Sequence, residues 1–367
     1  MTLRRRHPLS EATASLAKQL QRCEAAIALL DRARPINLQA QLARLLAAFK
    51  VGTRPKLELE YDPPPRLAEV RQALDALPGV VDTGDTEQRL LLERAEELAL
   101  EAQLAEHVGQ PKFRELAAQR YPIPEQHAEL RRAALERLAT SQAVGPSERL
   151  HASDDERDPD SLFCLISQLI SAERLPVRVE LDAGLVALAA VAEGVVRVRA
   201  GAKMPRSVGR RIALHEVGGH LAPRISGATL GGLFAAAAAR ASDDEEGRAT
   251  LLEERAGLLS EERRAELARR YLVATSVREG ADFWQSVDVL LASGAEPAPA
   301  LELACRAHRG GGLGRELVYW SGYQRVKTAL AARPELEALQ RAGRISLAAA
   351  AELLTASVAL EDHRNVS

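Results

Sequence analysis

Apolar residues recur with helical periodicity over most of this chain. Leu16, Leu20 and Ile27 form such a stripe near the N-terminus, and a Leu-, Glu- and Ala-rich amphipathic run covers residues 86–108. Further helices are predicted over residues 37–50, 66–76, 112–119, 124–142, 260–290, 316–331, 334–342 and 346–360. The pattern therefore predicts a mostly helical protein.

The periodicity changes to alternation in one region, between residues 176 and 198. Pro176 to Leu181 predicts one strand, and Leu185 to Val191 with Val195 to Val198 predict a hairpin around residues 192–194. A helix over residues 211–220 follows, and then an Ala-rich helix from Phe234 to Ala241. We therefore expect an α+β fold, with a small sheet next to one functional helix.

The acidic, Pro-containing segment 148–161 predicts a linker. It would separate a helical N-terminal region, residues 1–147, from a catalytic domain, residues 162–367. A cluster of acidic residues in this segment lacks the spacing of an EF-hand loop, so we interpret it as solvated chain rather than a calcium site.

Charge and composition exclude several function classes. The formal net charge of the 367-residue chain is −2, and its basic residues are interleaved with acidic ones, so no nucleic-acid surface is predicted. No apolar run is long enough to span a membrane, and no signal-peptide core follows the basic opening residues. Cys23, Cys164 and Cys305 are odd in number and far apart, which predicts reduced thiols in a cytoplasmic protein.

One helix carries residues that suit a zinc hydrolase. His215, Glu216 and His220 lie within one and a half helical turns; the two imidazoles would bind Zn²⁺, and the Glu216 carboxylate would take a proton from water. Residues five apart on an α-helix diverge by about 140° around the axis. The two histidines can therefore share a metal only if the helix widens, and Gly218 and Gly219 lie where it would.

The third zinc ligand has two candidates. Glu246 and Glu279 each precede a glycine in a helical context. Glu246 is favoured because an acidic first turn and a following Leu-rich stretch place it at the start of a core-facing helix. The alternative for either carboxylate is an exposed helix charge, so the residues alone leave the choice open.

A Gly-rich loop near the C-terminus is the last candidate. Four of the five residues 310–314 are glycine, so the backbone there could approach a ligand closely. Arg309 and Arg315 flank the loop, and guanidinium groups suit bidentate binding of a carboxylate. The alternative is a mobile turn with solvated arginines.

Together these segments resemble the zinc metallopeptidases known for a QEGLA motif, a family related to the microtubule-associated tyrosine carboxypeptidases. The resemblance rests on the helix from His215 to His220, on residues 245–249 and on residues 309–319, and residues 110–114 are similar to the N-terminal part of the family. It implies a zincin-like metallopeptidase in which His215, His220 and Glu246 bind Zn²⁺. It also implies Glu216 as general base and the C-terminus of a peptide or protein as substrate.

Several positions depart from the family pattern. Gly219 replaces a Thr, Glu245 a Gln, Arg248 a Leu, and residues 314–316 read Gly-Arg-Glu instead of Thr-Lys-Asp. The metal and base residues are kept, but cleavage of tubulin tyrosine does not carry over. We take Arg248, Arg309, Arg315 and Tyr319 as candidates for substrate binding.

Two alternative functions remain at this stage. One is a zinc hydrolase that acts on a modified peptide or amide intermediate of a biosynthetic pathway. The other is a non-catalytic helical scaffold with a structural metal, which the predicted set of only three protein ligands disfavours.

Overall fold

The structure is a computed structural model that describes residues 9–140 and 148–365, apart from residues 184, 186 and 193. Most of these residues are helical. The α-helices are α1 (Glu11–Ile27), α2 (Leu29–Arg32), α3 (Leu38–Lys50), α4 (Ala68–Asp75), α5 (Thr86–Glu106), α6 (Pro111–Arg120), α7 (His127–Thr140), α8 (Leu162–Ala172), α9 (Arg206–Leu214), α10 (Ala222–Leu230), α11 (Leu233–Ala236), α12 (Ala241–Arg255), α13 (Glu261–Glu279), α14 (Phe283–Ala292), α15 (Pro297–His308), α16 (Leu317–Ala332), α17 (Leu336–Ala342) and α18 (Leu347–Asn365). A π-helix, His215–Leu221, lies between α9 and α10.

The strands are short and form two small sheets. They are β1 (Leu150–Ala152), β2 (Arg178–Asp182), β3 (Ala189–Ala192), β4 (Val195–Arg199) and β5 (Lys203–Pro205). Strand β1 pairs with β5, and the second sheet has the order β2-β4-β3. The predicted α+β class with a mostly helical chain is therefore confirmed.

The three-stranded sheet contains the predicted hairpin. Strands β3 and β4 are antiparallel, and β2 joins the other side of β4 in a parallel register that the sequence did not predict. The turn residue 193 and part of the predicted strand over residues 185–191 lie outside the described residues.

The chain divides into two compact units that are discontinuous in sequence. Unit 1 contains residues 1–14, 142–263 and 322–367, and unit 2 contains residues 15–141 and 264–321. The predicted boundaries at residues 147 and 162 do not follow this grouping. Helical periodicity identifies helices but not which helices pack together, so the assignment of residues 264–321 to the N-terminal helices had no signal in the pattern.

The core of unit 1 lies between the three-stranded sheet and the helices around it. Its buried members include Ile166 of α8, Val196 and Val198 of β4, Ile212 of α9 and Val217 of the π-helix. Strand β3 also contacts the π-helix, as the predicted position of the sheet requires. Apolar burial thus fixes the π-helix against a sheet.

Residues 148–161, predicted to be a linker, are a packed part of unit 1. Strand β1 lies within the segment, and Ser161 caps α8 by accepting a hydrogen bond from the Cys164 backbone N–H. His151 is buried and its Nδ1 lies 2.7 Å from Oδ2 of Asp158. The segment is therefore folded, although Asp155 and Glu156 remain exposed.

The predicted helix from Phe234 to Ala241 ends early, after α11. Ala237 has φ 77° and ψ 146°, a backbone conformation that interrupts any helix. The backbone N–H of Ala238 donates to the Arg344 carbonyl, and the Arg344 N–H donates to the Phe234 carbonyl. These tertiary hydrogen bonds override the helix propensity of the alanines.

One hydrophobic core cluster of unit 2 is built from four of its helices. Leu45 of α3, Val273 of α13, Val287 of α14 and Leu301 of α15 are all buried in it. No helix in the described part of the chain combines the length and apolarity needed to cross a membrane.

Candidate metal centre

The helix that carries the two histidines is widened at the predicted place. A π-helix covers His215–Leu221, and its hydrogen bonds join residues five apart, so side chains at that spacing lie on one face. The imidazole rings of His215 and His220 have centroids 4.9 Å apart at an interplanar angle of 65°. The widening thus brings together two rings that an α-helix would separate.

Gly219 allows the π-helix to lie directly on α12. A Cβ atom at Gly219 would lie only 2.5 Å from Ala249 Cβ, whereas one at Gly218 would lie 3.4 Å from Leu214 Cδ1, an ordinary contact. Of the two glycines, Gly219 is therefore the one that close packing requires.

Arg248 of α12 completes this contact. Its side chain is buried, and its guanidinium group donates to the carbonyl oxygens of Gly218 and Gly219. Burial lowers the pKa of Arg248, and Glu245 only partly opposes this effect. Arg248 thus binds the backbone of the π-helix, and its role in substrate binding stays a prediction.

Helix α12 also brings Glu246 to the two histidines. Glu246 Oε2 lies 3.3 Å from Nε2 of His215 and 3.8 Å from Nε2 of His220. All three side chains are buried, and one ligand atom from each lies within 4.8 Å of the others. Ligands about 2.0–2.1 Å from a tetrahedral zinc lie about 3.3–3.5 Å apart, so this donor set fits zinc.

A second carboxylate, Glu253, holds His215 from the other side of its ring. His215 Nδ1 donates to Glu253 Oε1 at 2.7 Å, and Glu253 is fully buried. This hydrogen bond places the proton on Nδ1 and leaves Nε2 as the ligand atom facing Glu246. Arg211 and Arg263 each lie 3.5 Å from the Glu253 carboxylate.

The charges around His215 act in opposite directions on its protonation. Burial alone lowers the pKa of His215, but Glu246 and Glu253 outweigh it and raise the pKa to about 9. For Glu253, burial raises the pKa, but the hydrogen bond from His215 and the charge of Arg263 outweigh burial, so the pKa is lowered overall. A metal ion that binds to the metal-free protein must therefore displace a proton from His215.

Glu245 lies beside His220, as Glu253 lies beside His215. Its Oε1 lies 3.4 Å from His220 Nδ1 and 3.7 Å from Nε of Arg224. Burial raises the pKa of Glu245, but the charges of His220 and Arg224 outweigh it and bring the pKa to about 2.

Glu216, the predicted general base, follows His215 directly in the π-helix. It is partly exposed, in contrast to the buried Glu245, Glu246 and Glu253. Within the described part of the chain it forms no hydrogen bond or ion pair. Its carboxylate is thus available to exchange a proton with a substrate or with water.

The predicted substrate residues of the Gly-rich loop surround a buried carboxylate in unit 2. Glu316, 1% exposed, lies 3.1 Å from Arg306, 3.5 Å from Arg270 and 3.9 Å from Arg309. Burial raises its pKa, but these arginines, with a contribution from Arg315, lower it to about 2. Tyr319 is part of the same cluster, because the Arg270 guanidinium lies 4.6 Å from the centre of its ring.

The glycines of this loop are explained by contacts within unit 2. A Cβ atom at Gly310 would lie 2.5 Å from Phe113 Cζ, and one at Gly314 would lie 2.3 Å from Nη2 of Arg278. Both residues have positive φ, which favours glycine. The side chains that lie against these glycines therefore belong to the protein itself, whereas the sequence suggested a ligand in this place.

The chain matches the model of the microtubule-associated tyrosine carboxypeptidase family over residues 46–358, which is most of its length. It belongs to that family. Comparisons with curated proteins and with solved structures each give no match.

For this family member, the structure brings His215, His220 and Glu246 together. Glu279 belongs neither to this group nor to the other group of potential metal ligands among the described residues, which is His151, Asp158 and Asp160. Its side chain is 51% exposed and lies 3.6 Å from His127 in unit 2. The geometry therefore favours Glu246 over Glu279.

Sequence reasoning missed the role of Glu253. The signal for it was present, because Glu253 follows Glu246 by seven residues and so lies on the same face of α12, two turns later. A carboxylate at that spacing could have been tested as a partner for a metal-binding histidine.

Proposed function

We propose that this family member is a zinc-dependent carboxypeptidase that removes a C-terminal residue from a peptide or protein. The observation that carries the proposal is the convergence of His215, His220 and Glu246 at ligand spacing in a buried part of unit 1. Membership of a family described by tyrosine carboxypeptidase activity supports the reaction class.

In this proposal His215 and His220 hold zinc through their Nε2 atoms and Glu246 holds it through its carboxylate. Zinc supplies Lewis acidity for the scissile carbonyl and for the attacking water. Three protein ligands leave a coordination position for water or substrate, which is the arrangement of catalytic rather than structural zinc sites. This ligand count supports an enzyme over a scaffold with a structural metal.

Glu216 acts as the general base. Its carboxylate accepts a proton as water attacks the scissile carbonyl, and it returns that proton to the nitrogen of the departing amino acid. The carboxylate is suited to this role because it is partly exposed and without a competing partner among the described residues.

Arg309, Arg315 and Tyr319 stay candidates for substrate binding on the chemistry of their side chains. Arg270, Arg306 and Arg309 lie around the buried carboxylate of Glu316, and Arg270 also pairs with Glu266. Guanidinium groups bind carboxylates with two parallel hydrogen bonds, which suits recognition of a free C-terminus. Cleavage of tubulin tyrosine is not part of the proposal, because positions 219, 245, 248 and 314–316 differ from the family pattern.

The deciding experiment measures zinc and peptide trimming in the same preparations. Zinc content is determined for the wild type, for Glu246→Ala and for Glu279→Ala, and the wild type is incubated with a mixed peptide library that is read by mass spectrometry. We expect one zinc per chain, lost in Glu246→Ala and kept in the matched Glu279→Ala control, and loss of single C-terminal residues from the library.

Other outcomes separate the parts of the proposal. Zinc without trimming would leave the metal site in place and transfer the activity to a modified peptide or amide substrate, or to a scaffold role. Absence of zinc from the wild type, even after incubation with zinc salts, would contradict the metal site itself.

A further inference from the structure

Glu245 and His220 form a buried polar pair that has not closed into a hydrogen bond. Glu245 is 7% exposed, and its Oε1 lies 3.4 Å from Nδ1 of His220. Neither of these two atoms has a hydrogen-bond partner among the residues that the structure describes. Buried polar atoms normally have partners, so this pair requires an explanation.

The pair repeats the arrangement at His215. There, Nδ1 donates to Glu253 at 2.7 Å while Nε2 faces Glu246. His220 likewise directs Nε2 towards Glu246, at 3.8 Å, and Nδ1 towards a glutamate. Each histidine is thus flanked by the shared carboxylate on one side and by a carboxylate of its own on the other.

We propose that Glu245 is a positioning residue that raises the affinity of the site for zinc, an inference that rests on the proposed metal site. A neutral imidazole that binds metal through Nε2 carries its remaining proton on Nδ1. That N–H faces Glu245. The carboxylate accepts a hydrogen bond from it, which fixes the orientation of the ring and increases the electron donation of Nε2. Carboxylate partners of this kind typically change metal affinity by about 10–100-fold.

Glu245 also has a role in the metal-free protein, because its buried carboxylate lies beside His220 and Arg224. Replacing the charge should therefore lower the stability of the metal-free fold as well as the zinc affinity. The visible spectrum of the cobalt-loaded site separates the two effects, because a purely structural role would leave that spectrum unchanged at saturating metal.

The experiment uses the full chain and two substitutions of Glu245 with graded acceptor strength. Glu245→Gln keeps the shape and a neutral acceptor oxygen, whereas Glu245→Met removes the acceptor. Zinc dissociation constants are measured by competition with a chromophoric chelator, and melting temperatures are measured on metal-free protein. Glu254→Gln is the matched control, because Glu254 lies on the same helix but contacts Tyr323 and Lys327 instead of the histidines.

We expect zinc binding to weaken by about 10-fold in Glu245→Gln and by about 100-fold in Glu245→Met. The metal-free melting temperatures of both variants should be lower than that of the wild type, since the carboxylate lies beside His220 and Arg224 in the metal-free fold as well. The cobalt-loaded variants should also show a shifted visible absorption spectrum, since the ligand field of His220 changes. Glu254→Gln should keep the wild-type affinity and spectrum.

Failure of this inference can be told apart from failure of the proposed function. If the wild type binds zinc and both Glu245 variants keep its affinity, the role of Glu245 is refuted and the metal site stands. If both variants bind zinc more weakly but their cobalt-loaded spectra match that of the wild type, Glu245 is structural. If the wild type itself binds no zinc, the proposed function fails.

Discussion

At the scale of single residues, the candidate site separates metal binding from proton transfer. His215 and Glu216 are adjacent in the π-helix, yet His215 is buried beside Glu246 and Glu253, and Glu216 is partly exposed. One substitution can therefore remove the base without touching the ligands.

Glu216→Gln tests this separation. The amide keeps the size of the side chain but cannot accept the proton, so we expect a normal zinc content and a loss of peptidase turnover by about 10²–10⁴-fold. Zinc content and initial rates on a peptide identified from the library are measured on the same sample. Turnover at the wild-type rate would remove Glu216 from the mechanism, and loss of zinc would show that it also supports the ligands.

The residues that could be predicted from the sequence are those with local causes. His215 and His220 share one short segment, and the five-residue spacing with Gly218 and Gly219 was sufficient to predict a widened helix. The pairing of Glu245 with His220 could not be predicted, because it depends on how α12 packs against the π-helix. For the same reason, the contacts of Arg248 with the carbonyl oxygens of Gly218 and Gly219 could not be predicted. The sequence suggested a substrate contact for Arg248 instead.

At the scale of elements, the contact between the π-helix and α12 determines the metal site. Ala249 lies against Gly219, and Arg248 binds the carbonyls of Gly218 and Gly219. The distance between the two helices at this point also fixes Glu246 relative to both histidines. A small displacement there should affect stability and metal binding together.

Gly219→Ala and Gly218→Ala form a matched pair for this contact. The added methyl group at position 219 would meet Ala249 at 2.5 Å, so we expect the free energy of unfolding to fall by about 1–3 kcal/mol and zinc binding to weaken. At position 218 the nearest atom is 3.4 Å away, and alanine is the better helix former, so we expect a change between zero and a gain of about 1 kcal/mol. Urea denaturation and chelator competition measure both variants, and equal effects at the two positions would contradict the packing argument.

The segment between α11 and α12 shows why element boundaries were harder to predict than elements. Its run of alanines favours helix, but Ala237 adopts a positive φ and the neighbouring backbone groups bond to Arg344. Arg344 is more than a hundred residues away in sequence, so no local pattern could report this pairing. Tertiary hydrogen bonds decided the backbone conformation here.

At the scale of the whole molecule, buried ionisable groups make stability depend on pH in separate ranges. Glu245 and Glu316 have pKa values lowered to about 2, so their contribution to stability is lost only as the pH falls below about 4.5. His215, with its pKa raised to about 9 in the metal-free protein, contributes fully below pH 6.5 and loses that contribution as the pH rises to 9. A change in stability between pH 6.5 and 4.5 must therefore come from groups whose pKa is shifted in another way.

His308, at the end of α15 in unit 2, is such a group. Burial lowers its pKa from 6.5 to about 4, and only the nearby Asp282 opposes that shift, while Arg114 reinforces it. Its Nε2 lies 2.9 Å from Ser286 Oγ, and its ring packs edge-on against Phe283. The folded chain therefore keeps His308 neutral at a pH where the unfolded chain protonates it.

The sign of the effect follows from proton uptake on unfolding. Between pH 6.5 and 4 the unfolded state binds more protons than the folded state, so the free energy of unfolding decreases as the pH falls. A shift of this size corresponds to about 2–3 kcal/mol after allowance for the partial exposure of the ring. We expect urea denaturation of the metal-free protein to show this decrease between pH 6.5 and 4.5. His308→Gln should be less stable at pH 7, because it loses packing against Phe283, but its stability should change less across the interval; an unchanged slope would mean that His308 is protonated in the folded state.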